Sequence, residues 1–244
     1  ARRERASVFK PFVYLAAFER GLDEGRTDLT PASTVLDEPT TFLFNDQEYA
    51  PTNYGGEYSG ETTFRRAHAL SRTVAAVKVA EAAGYDRVAE LWQRTGAGAT
   101  ARPYPSIALG VFEASRLEIA EAYTPFANDG RMLPLTPVLR VEEEARTLPL
   151  PADESRQIAR PETTFLVTNM MRSVINEGTG AAARARGFTL DAAGKSGTTN
   201  DLRDAWFVGF TPELLTVVWV GFDDNQPIGL TGSQAALPIW TDFM

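Results

Sequence analysis

The segment A-S-V-F-K-P-F-V-Y-L-A-A, residues 6–17, combines a serine, a lysine and a run of apolar side chains. The apolar residues recur at helical spacing, so the sequence predicts a helix from residue 7 to about residue 22. Proline fits a helix only in its first turn, where the missing N–H has no partner. Pro11 therefore indicates that Ser7 lies at or just before the helix start. The predicted apolar face consists of Phe9, Phe12, Val13, Ala16 and Ala17.

Ser7 and Lys10 are three residues apart, which places them on one face of the predicted helix. A helix N-terminus carries roughly half a positive elementary charge, which favours an oxyanion at Ser7 and disfavours the ammonium form of Lys10. A neutral lysine beside a serine is a general base that needs no histidine. The alternative is that Ser7 caps the helix and Lys10 is a solvated charge, because an isolated S-x-x-K pattern is short.

The composition excludes several other kinds of site. The chain has 244 residues, with 24 Lys+Arg against 32 Asp+Glu and a net charge of -8, so no nucleic-acid partner is expected. It contains no cysteine, which removes a cysteine nucleophile, a disulfide framework and cysteine-rich zinc sites. No stretch reaches the roughly 20 apolar residues that a membrane-spanning helix needs.

The rest of the chain divides into a helical part and a strand-rich part. Residues 23–60 are interpreted as a long irregular excursion, and residues 141–160 as a surface linker or hairpin. Helical spacing predicts helices over residues 62–83, 86–94, 113–127 and 162–176. The last third changes period and predicts strands over residues 188–195, 205–210 and 215–222, the last two forming an antiparallel hairpin. Helices followed by clustered strands indicate an α+β fold.

The sequence G-K-S-G-T-T, residues 194–199, ends one of the predicted strands. Small residues let the backbone of a ligand approach a strand edge. Lys195 can bind a carboxylate, and the hydroxyls of Ser196 and Thr198 can add hydrogen bonds. The alternative is a glycine-bearing turn with an exposed lysine.

Other polar residues carry weaker signals. Ser71 and Thr73 fall inside the helix predicted over residues 62–83, where a serine usually faces solvent or bonds to the preceding turn. His68, the one histidine, lies three residues before Ser71. That spacing allows a histidine–serine pair, but a partly exposed helix residue is the preferred interpretation. Asp223 and Asp224 have no third ligand nearby in sequence, so we interpret them as a loop and expect no metal site.

In chain order, S-x-x-K at Ser7, S-R-T at Ser71 and K-S-G at Lys195 follow the motif set of penicillin-binding proteins and serine β-lactamases. The chain also resembles class A penicillin-binding proteins, the bifunctional murein synthases, over nearly its whole length. The segments that carry this resemblance include D-E-P at residues 37–39, P-T-N-Y-G-G-E-Y-S-G at 51–60, N-E-G-T-G at 176–180, D-A-W-F-V-G-F-T-P at 204–212 and V-V-W-V-G-F-D-D at 217–224.

The resemblance implies a β-lactamase/transpeptidase-like fold over residues 1–244, with an antiparallel sheet flanked by helices and an all-helical subdomain. It implies that Ser7 is the acylated nucleophile, that Lys10 is the base and that Ser71 relays a proton to the leaving amine. The backbone N–H groups of Ser7 and Thr198 would form the oxyanion hole. The implied substrate-binding residues are Thr73, Lys195, Ser196, Gly197 and Thr198.

The implied reaction is attack on a D-Ala-D-Ala stem peptide, loss of D-Ala and aminolysis of the acyl-enzyme by a neighbouring stem, without a cofactor. A β-lactam would mimic the donor. The resemblance further implies a fragment, truncated at both ends, of a larger protein anchored at the periplasmic face of the bacterial cytoplasmic membrane, with an upstream glycosyltransferase domain. A serine β-lactamase and a non-catalytic penicillin-binding or sensor domain stay open as alternatives.

The chain departs from the family at the middle motif, where Thr73 stands in place of the usual asparagine. Asparagine offers both a donor and an acceptor, whereas threonine has a single hydroxyl on a shorter side chain. We therefore expect slower acylation than in a relative that carries asparagine.

Overall fold

The computed structural model describes residues 2–4, 6–138, 140–143, 146–148 and 154–244. The helices are α1 Lys10–Glu24, α2 Phe64–Ala69, α3 Thr73–Ala83, α4 Tyr85–Thr95, α5 Arg116–Ala127, α6 Pro161–Glu177, α7 Ala182–Ala185 and α8 Gly232–Phe243, with 3₁₀ segments at Ala6–Phe9, Tyr54–Gly56 and Pro105–Leu109. The strands are β1 Arg3–Glu4, β2 Thr34–Asp37, β3 Phe42–Phe44, β4 Gln47–Tyr49, β5 Gly60–Thr63, β6 Glu113–Ala114, β7 Arg131–Met132, β8 Val141–Glu143, β9 Arg146–Leu148, β10 Arg156–Gln157, β11 Ala193–Thr198, β12 Asp204–Phe210 and β13 Leu215–Gly221.

Strands β11, β12 and β13 form an antiparallel sheet in that spatial order. The predicted hairpin is confirmed, because β12 pairs with β13 and Phe210 lies opposite Leu215 beside the turn. The other strands form two-stranded ribbons: β1 with β6, β2 with β5, β3 with β4, β7 with β10 and β8 with β9. The ribbon of β8 and β9 lies in the segment predicted as a linker or hairpin.

Helix α1 lies in the core of the helical part. Its residues are buried without interruption from Lys10 to Phe18, and it packs against α3, α4 and α6. Phe12 stacks on Phe9, and both rings meet Trp92 edge to face. A helix that is apolar on most sides needs neighbours on most sides. The predicted helix over residues 7–22 is therefore confirmed, although its first turn is a 3₁₀ segment.

Helix α8 covers the sheet through the fully buried side chain of Trp240. The indole Nε1 donates a hydrogen bond to the carbonyl oxygen of Gly209 at 3.2 Å. A Cβ atom at position 209 would lie 2.7 Å from the indole ring, closer than side-chain carbons approach one another. Glycine near the end of β12 is therefore a requirement of the contact between sheet and helix.

We expect Gly209→Ala to destabilise the protein by about 1–3 kcal/mol, the usual cost of overpacking a core. The measurement is the melting temperature by circular dichroism. The double variant Gly209→Ala/Trp240→Phe is the control, because phenylalanine lacks the indole atoms that the new methyl group meets. A double variant whose loss equals the sum of the two single losses would contradict this explanation.

The helix predicted over residues 62–83 is wrong, because it breaks at Ser71. Ser71 has a left-handed backbone with φ of 57°. The Arg72 N–H donates to the Ala67 carbonyl at 2.8 Å and the Ser71 N–H to the His68 carbonyl at 3.0 Å. These two bonds close the end of α2 in a Schellman-type arrangement. Helix α3 then begins at Thr73.

The strand predicted over residues 188–195 is displaced, because β11 runs from Ala193 to Thr198. Phe188 lies before this strand, edge to face against Trp240. The K-S-G motif consequently lies within the strand. In the part of the chain that the structure describes, no helix combines the length and the apolar character needed to span a bilayer.

Candidate active site

A cleft of about 780 Å³ is lined by most of the site residues that were predicted from the sequence. Strand β11 contributes to its lining, and the 3₁₀ segment Ala6–Phe9 packs against that strand. Lys10 and Lys195 do not line the cleft, because both are fully buried and reach it through Ser71. The predicted residues that line the cleft are Ser7, Ser71, Thr73, Ser196 and Thr198.

Ser7 precedes α1 without capping it. The residue at the N-cap position is Phe9, and no side chain caps that end of the helix. By contrast, the Ser115 hydroxyl caps α5 by accepting a hydrogen bond from the Glu118 N–H at 3.2 Å. The alternative in which Ser7 is a helix cap is therefore wrong. Its hydroxyl lies in the cleft and is not committed to the backbone of α1.

Lys10 is 0% exposed, so the alternative of a solvated lysine is also wrong. Its Nζ donates to the Ser71 carbonyl at 2.6 Å and to the Ser71 hydroxyl at 3.2 Å. Burial lowers the pKa of Lys10 to about 7, while the charge of Asp37 opposes this shift and that of Arg72 adds to it. The neutral amine is thus accessible near neutral pH, as a general base requires.

Ser71 joins the two buried lysines. Its hydroxyl oxygen accepts a hydrogen bond from Lys10 Nζ at 3.2 Å and from Lys195 Nζ at 2.8 Å. With both acceptor positions occupied, the hydroxyl proton is free to be donated to a third group. Burial lowers the pKa of Lys195 well below its usual value, and the charge of Lys10 lowers it further. Protonation of one of these two amines therefore makes protonation of the other less favourable.

Strand β11 supplies an open edge, since among the described residues it pairs only with β12. Lys195 Nζ donates to the Ser196 carbonyl at 3.0 Å, so the alternative of an exposed lysine in a turn is wrong. The hydroxyls of Ser196 and Thr179 share a hydrogen bond of 2.6 Å. Thr198 Oγ1 accepts from the backbone N–H of Gly232 at 3.0 Å. These bonds fix the hydroxyls at the edge, with Gly197 between them.

Thr73 is the first residue of α3, and its Oγ1 lies 3.5 Å from Lys10 Nζ, at the outer limit of a hydrogen bond. Its backbone N–H donates to the side chain of Asn53 at 2.7 Å. Asn53, Thr179 and the buried Asp37 were not selected from the sequence as site residues. The segments that carry the family resemblance contain all of them, but nothing in a single sequence separates them from ordinary loop residues.

His68 is fully buried, so its interpretation as a partly exposed residue is wrong. Its ring lies edge to face against Tyr14, with centroids 5.0 Å apart. Burial lowers the pKa of His68 well below its usual value, and the charges of Lys195 and Lys10 lower it further. Neither ring nitrogen makes a hydrogen bond of good geometry within the described residues, so the structure does not form the histidine–serine pair.

Asp223 and Asp224 lie in a turn after β13, as predicted. The guanidinium of Arg3 donates to the Asp223 carbonyl at 2.9 Å. Within the described ranges, no group of three or more His, Asp or Glu side chains is arranged to hold a metal ion.

A family profile described as "Penicillin binding protein transpeptidase domain" matches residues 1–244. The chain is 34% identical over 256 residues to penicillin-binding protein 1A of Neisseria meningitidis and 36% identical over 247 residues to that of Aquifex aeolicus. These matches cover 100% of this chain but 31% and 33% of those proteins, so the chain spans about a third of their length.

Solved structures give the same result. Penicillin-binding protein 1A from Haemophilus influenzae superposes with a TM-score of 0.90 at 25% identity, over 100% of this chain and 42% of that one. The PonA1 protein from Mycobacterium tuberculosis in complex with penicillin V gives a TM-score of 0.80 at 25% identity, over 99% of this chain and 68% of that one. These matches confirm the resemblance and the predicted fold class.

Proposed function

Because this chain belongs to the penicillin-binding protein transpeptidase family, we propose that it is a serine D,D-transpeptidase domain in which Ser7 is the acylated nucleophile. The observation that carries this proposal is the environment of Lys10. A fully buried amine with a pKa of about 7 contacts Ser71 in the cleft that Ser7 lines. No helix cap or surface ion pair needs such an arrangement, whereas a general base does.

In the acylation step, neutral Lys10 takes the Ser7 hydroxyl proton while Ser7 Oγ attacks the carbonyl carbon of the penultimate D-Ala. The backbone N–H groups of Ser7 and Thr198 stabilise the resulting oxyanion. The proton then passes from Lys10 through the Ser71 hydroxyl to the nitrogen of the terminal D-Ala. The C–N bond breaks, D-Ala leaves and an ester remains on Ser7. The two lysine contacts to Ser71 leave its proton available for this transfer.

In the second step, an amine of a neighbouring stem peptide attacks the ester carbonyl and gives up a proton to Lys10. The new amide bond forms as the bond to Ser7 Oγ breaks, and the proton returns to that oxygen. The open edge of β11 binds the donor peptide in an extended form. The hydroxyls of Ser196 and Thr198 bind its terminal carboxylate. The negative charge of that carboxylate favours the protonated form of Lys195, whose pKa burial lowers, so Lys195 then supplies positive charge. Thr73 and Gly197 complete the predicted binding surface.

We assign this activity to the periplasmic face of the cytoplasmic membrane, within a larger anchored protein that carries an upstream glycosyltransferase domain. A β-lactam resembles the donor and would acylate Ser7 in the same way. The M. tuberculosis structure is described as a complex with penicillin V, which supports β-lactam binding in a domain of this fold.

The test is to incubate the protein with benzylpenicillin and map the adduct by peptide mass spectrometry. We expect one adduct per chain, on Ser7, that persists after the free drug is removed. An adduct on Ser71, or none, would overturn the proposal. Rapid turnover of a chromogenic cephalosporin would instead identify a serine β-lactamase. A stable adduct without stem-peptide aminolysis would identify a penicillin-binding sensor domain.

We expect Thr73→Asn to accelerate acylation by up to about tenfold, the rate equivalent of one improved hydrogen bond. Threonine reaches Lys10 at only 3.5 Å, whereas asparagine adds both length and a second polar atom. The measurement is the second-order acylation rate with benzylpenicillin, and Thr73→Val is the control that removes the hydroxyl. Equal rates for the wild type and both variants would show that position 73 does not act on the base.

A further inference from the structure

Asp37, the last residue of β2, is a fully buried carboxylate beside the side chain of Asn53. Asn53 Nδ2 donates to both carboxylate oxygens, at 2.9 and 3.0 Å. The same Nδ2 donates to the Glu57 carbonyl at 2.9 Å, and the Ser59 N–H donates to Asp37 Oδ2 at 2.9 Å. The orientation of the Asn53 amide is therefore fixed, because all these partners of its nitrogen are acceptors.

The carbonyl oxygen of Asn53 faces the start of α3. It accepts hydrogen bonds from the backbone N–H groups of Thr73 at 2.7 Å and Val74 at 3.1 Å. The residue at the N-cap position, Arg72, makes no side-chain cap of its own. Asn53 therefore does from a distance of 20 residues what a local cap normally does, and it satisfies two of the unpaired N–H groups of the helix.

Arg72 is held by the same group of residues. Its Nε donates to the Ser59 hydroxyl at 2.8 Å, its Nη1 donates to the Glu57 carbonyl at 3.1 Å, and its guanidinium lies 3.7 Å from the Asp37 carboxylate. Leu70 and Ser71 connect α2 to Arg72, and Ser71 has a left-handed backbone, a conformation that a non-glycine residue rarely adopts. The carbonyl and hydroxyl oxygens of Ser71 accept the hydrogen bonds from Lys10 Nζ.

We propose that Asp37 and Asn53 are positioning residues for acylation: Asn53 holds Ser71 and Thr73 against Lys10, and Asp37 orients Asn53 and supplies the negative charge that faces the base. This inference rests on the function proposed above. Contacts run from Asp37 to Asn53 and from Asn53 to the backbone of Thr73, whose hydroxyl lies 3.5 Å from Lys10 Nζ. Ser71, two residues earlier, places its carbonyl and hydroxyl oxygens 2.6 and 3.2 Å from the same nitrogen.

The two residues have distinguishable effects. Four charged or titratable neighbours face Lys10: Asp37 from β2, His68 from α2, Arg72 from the break before α3 and Lys195 from β11. The Asp37 charge raises the pKa of Lys10 against the effect of burial. Removing this charge therefore lowers the pKa of Lys10, so the base becomes neutral at a lower pH. Removing the Asn53 side chain displaces the contacts of the base but leaves the Asp37 charge in place.

The test compares Asp37→Asn and Asn53→Ala with the wild type by the rate of benzylpenicillin acylation across pH. For Asn53→Ala we expect acylation to be slower by about tenfold or more, as befits the loss of both hydrogen bonds to α3. For Asp37→Asn we expect the midpoint of the rise in rate to move to lower pH. Asp28→Asn, which removes an exposed carboxylate bonded to Arg26, is the matched control and should change neither quantity.

Rates are normalised to the fraction of chains that finally becomes labelled, and the pH midpoint does not depend on that fraction, so partial unfolding does not hide the result. Wild-type rates and a wild-type midpoint in both variants would overturn the inference while leaving the proposed function intact. A wild-type protein that acquires no adduct on Ser7 would overturn the proposed function itself, and the inference with it.

Discussion

Replacing Ser7 by alanine is expected to abolish covalent labelling by benzylpenicillin and to leave the stability of the fold almost unchanged. Labelling is lost because the acceptor oxygen of the acyl group is gone, and no other serine of the cleft stands at the start of α1. Stability is retained because the Ser7 hydroxyl does not cap that helix. The measurements are the intact mass after exposure to the drug and the melting temperature.

Ser115 provides the matched control, because it is a serine at a helix start that does cap its helix. Ser115→Ala should cost about 1 kcal/mol of stability, as the loss of an N-cap usually does, and should label at the wild-type rate. Ser7→Ala should thus lose labelling and keep its stability, whereas Ser115→Ala should lose stability and keep labelling. Residual stoichiometric labelling of Ser7→Ala would contradict the assignment of the nucleophile.

The helix that begins after Ser7 could be predicted from the sequence because short-range spacing decides it, whereas the S-x-x-K and K-S-G motifs became informative only together with the resemblance along the chain. Ser7 and Lys10 are neighbours on one helical turn, and Pro11 fixes where the helix begins. The hairpin of β12 and β13 could also be predicted, since its β-rich runs flank a short turn. In each case the information lies within one short, continuous stretch of chain.

The local structure around Ser71 and Thr73 could not be predicted from periodicity, because it depends on contacts between distant segments. The apolar spacing from Phe64 to Val77 continues across the break at Ser71, so periodicity indicates one helix. Helix α3 begins where the side chain of Asn53 accepts hydrogen bonds from the N–H groups of Thr73 and Val74. Nothing in the sequence near Thr73 indicates that contact. His68 was misjudged for the same reason, since its burial results from packing against Tyr14 of α1.

Replacing Lys10 by methionine is expected to slow acylation by about a thousandfold, within the range that a positioned general base contributes. Methionine has a similar length and no charge, so it fills the same buried space. The wild-type rate should rise with pH through about 7 as Lys10 loses its proton, and the variant should lack this rise. Lys78→Met, which removes a partly exposed lysine that bonds to the Leu36 carbonyl, should keep the wild-type rate and profile.

The same substitution should reveal the titration of Lys10 in the stability of the protein. The folded-state pKa of Lys10 is lowered from 10.5 to about 7, so between these values unfolding takes up a proton at this residue. The wild type therefore gains stability from this group as pH rises through that window, and below it the full penalty of a buried ammonium is present. Lys10→Met removes the penalty, so its melting temperature relative to the wild type should be most favourable near pH 7 and decline toward pH 10. A difference that stays constant across this range, with Lys78→Met as reference, would show that Lys10 is not the lowered amine that the acylation mechanism requires.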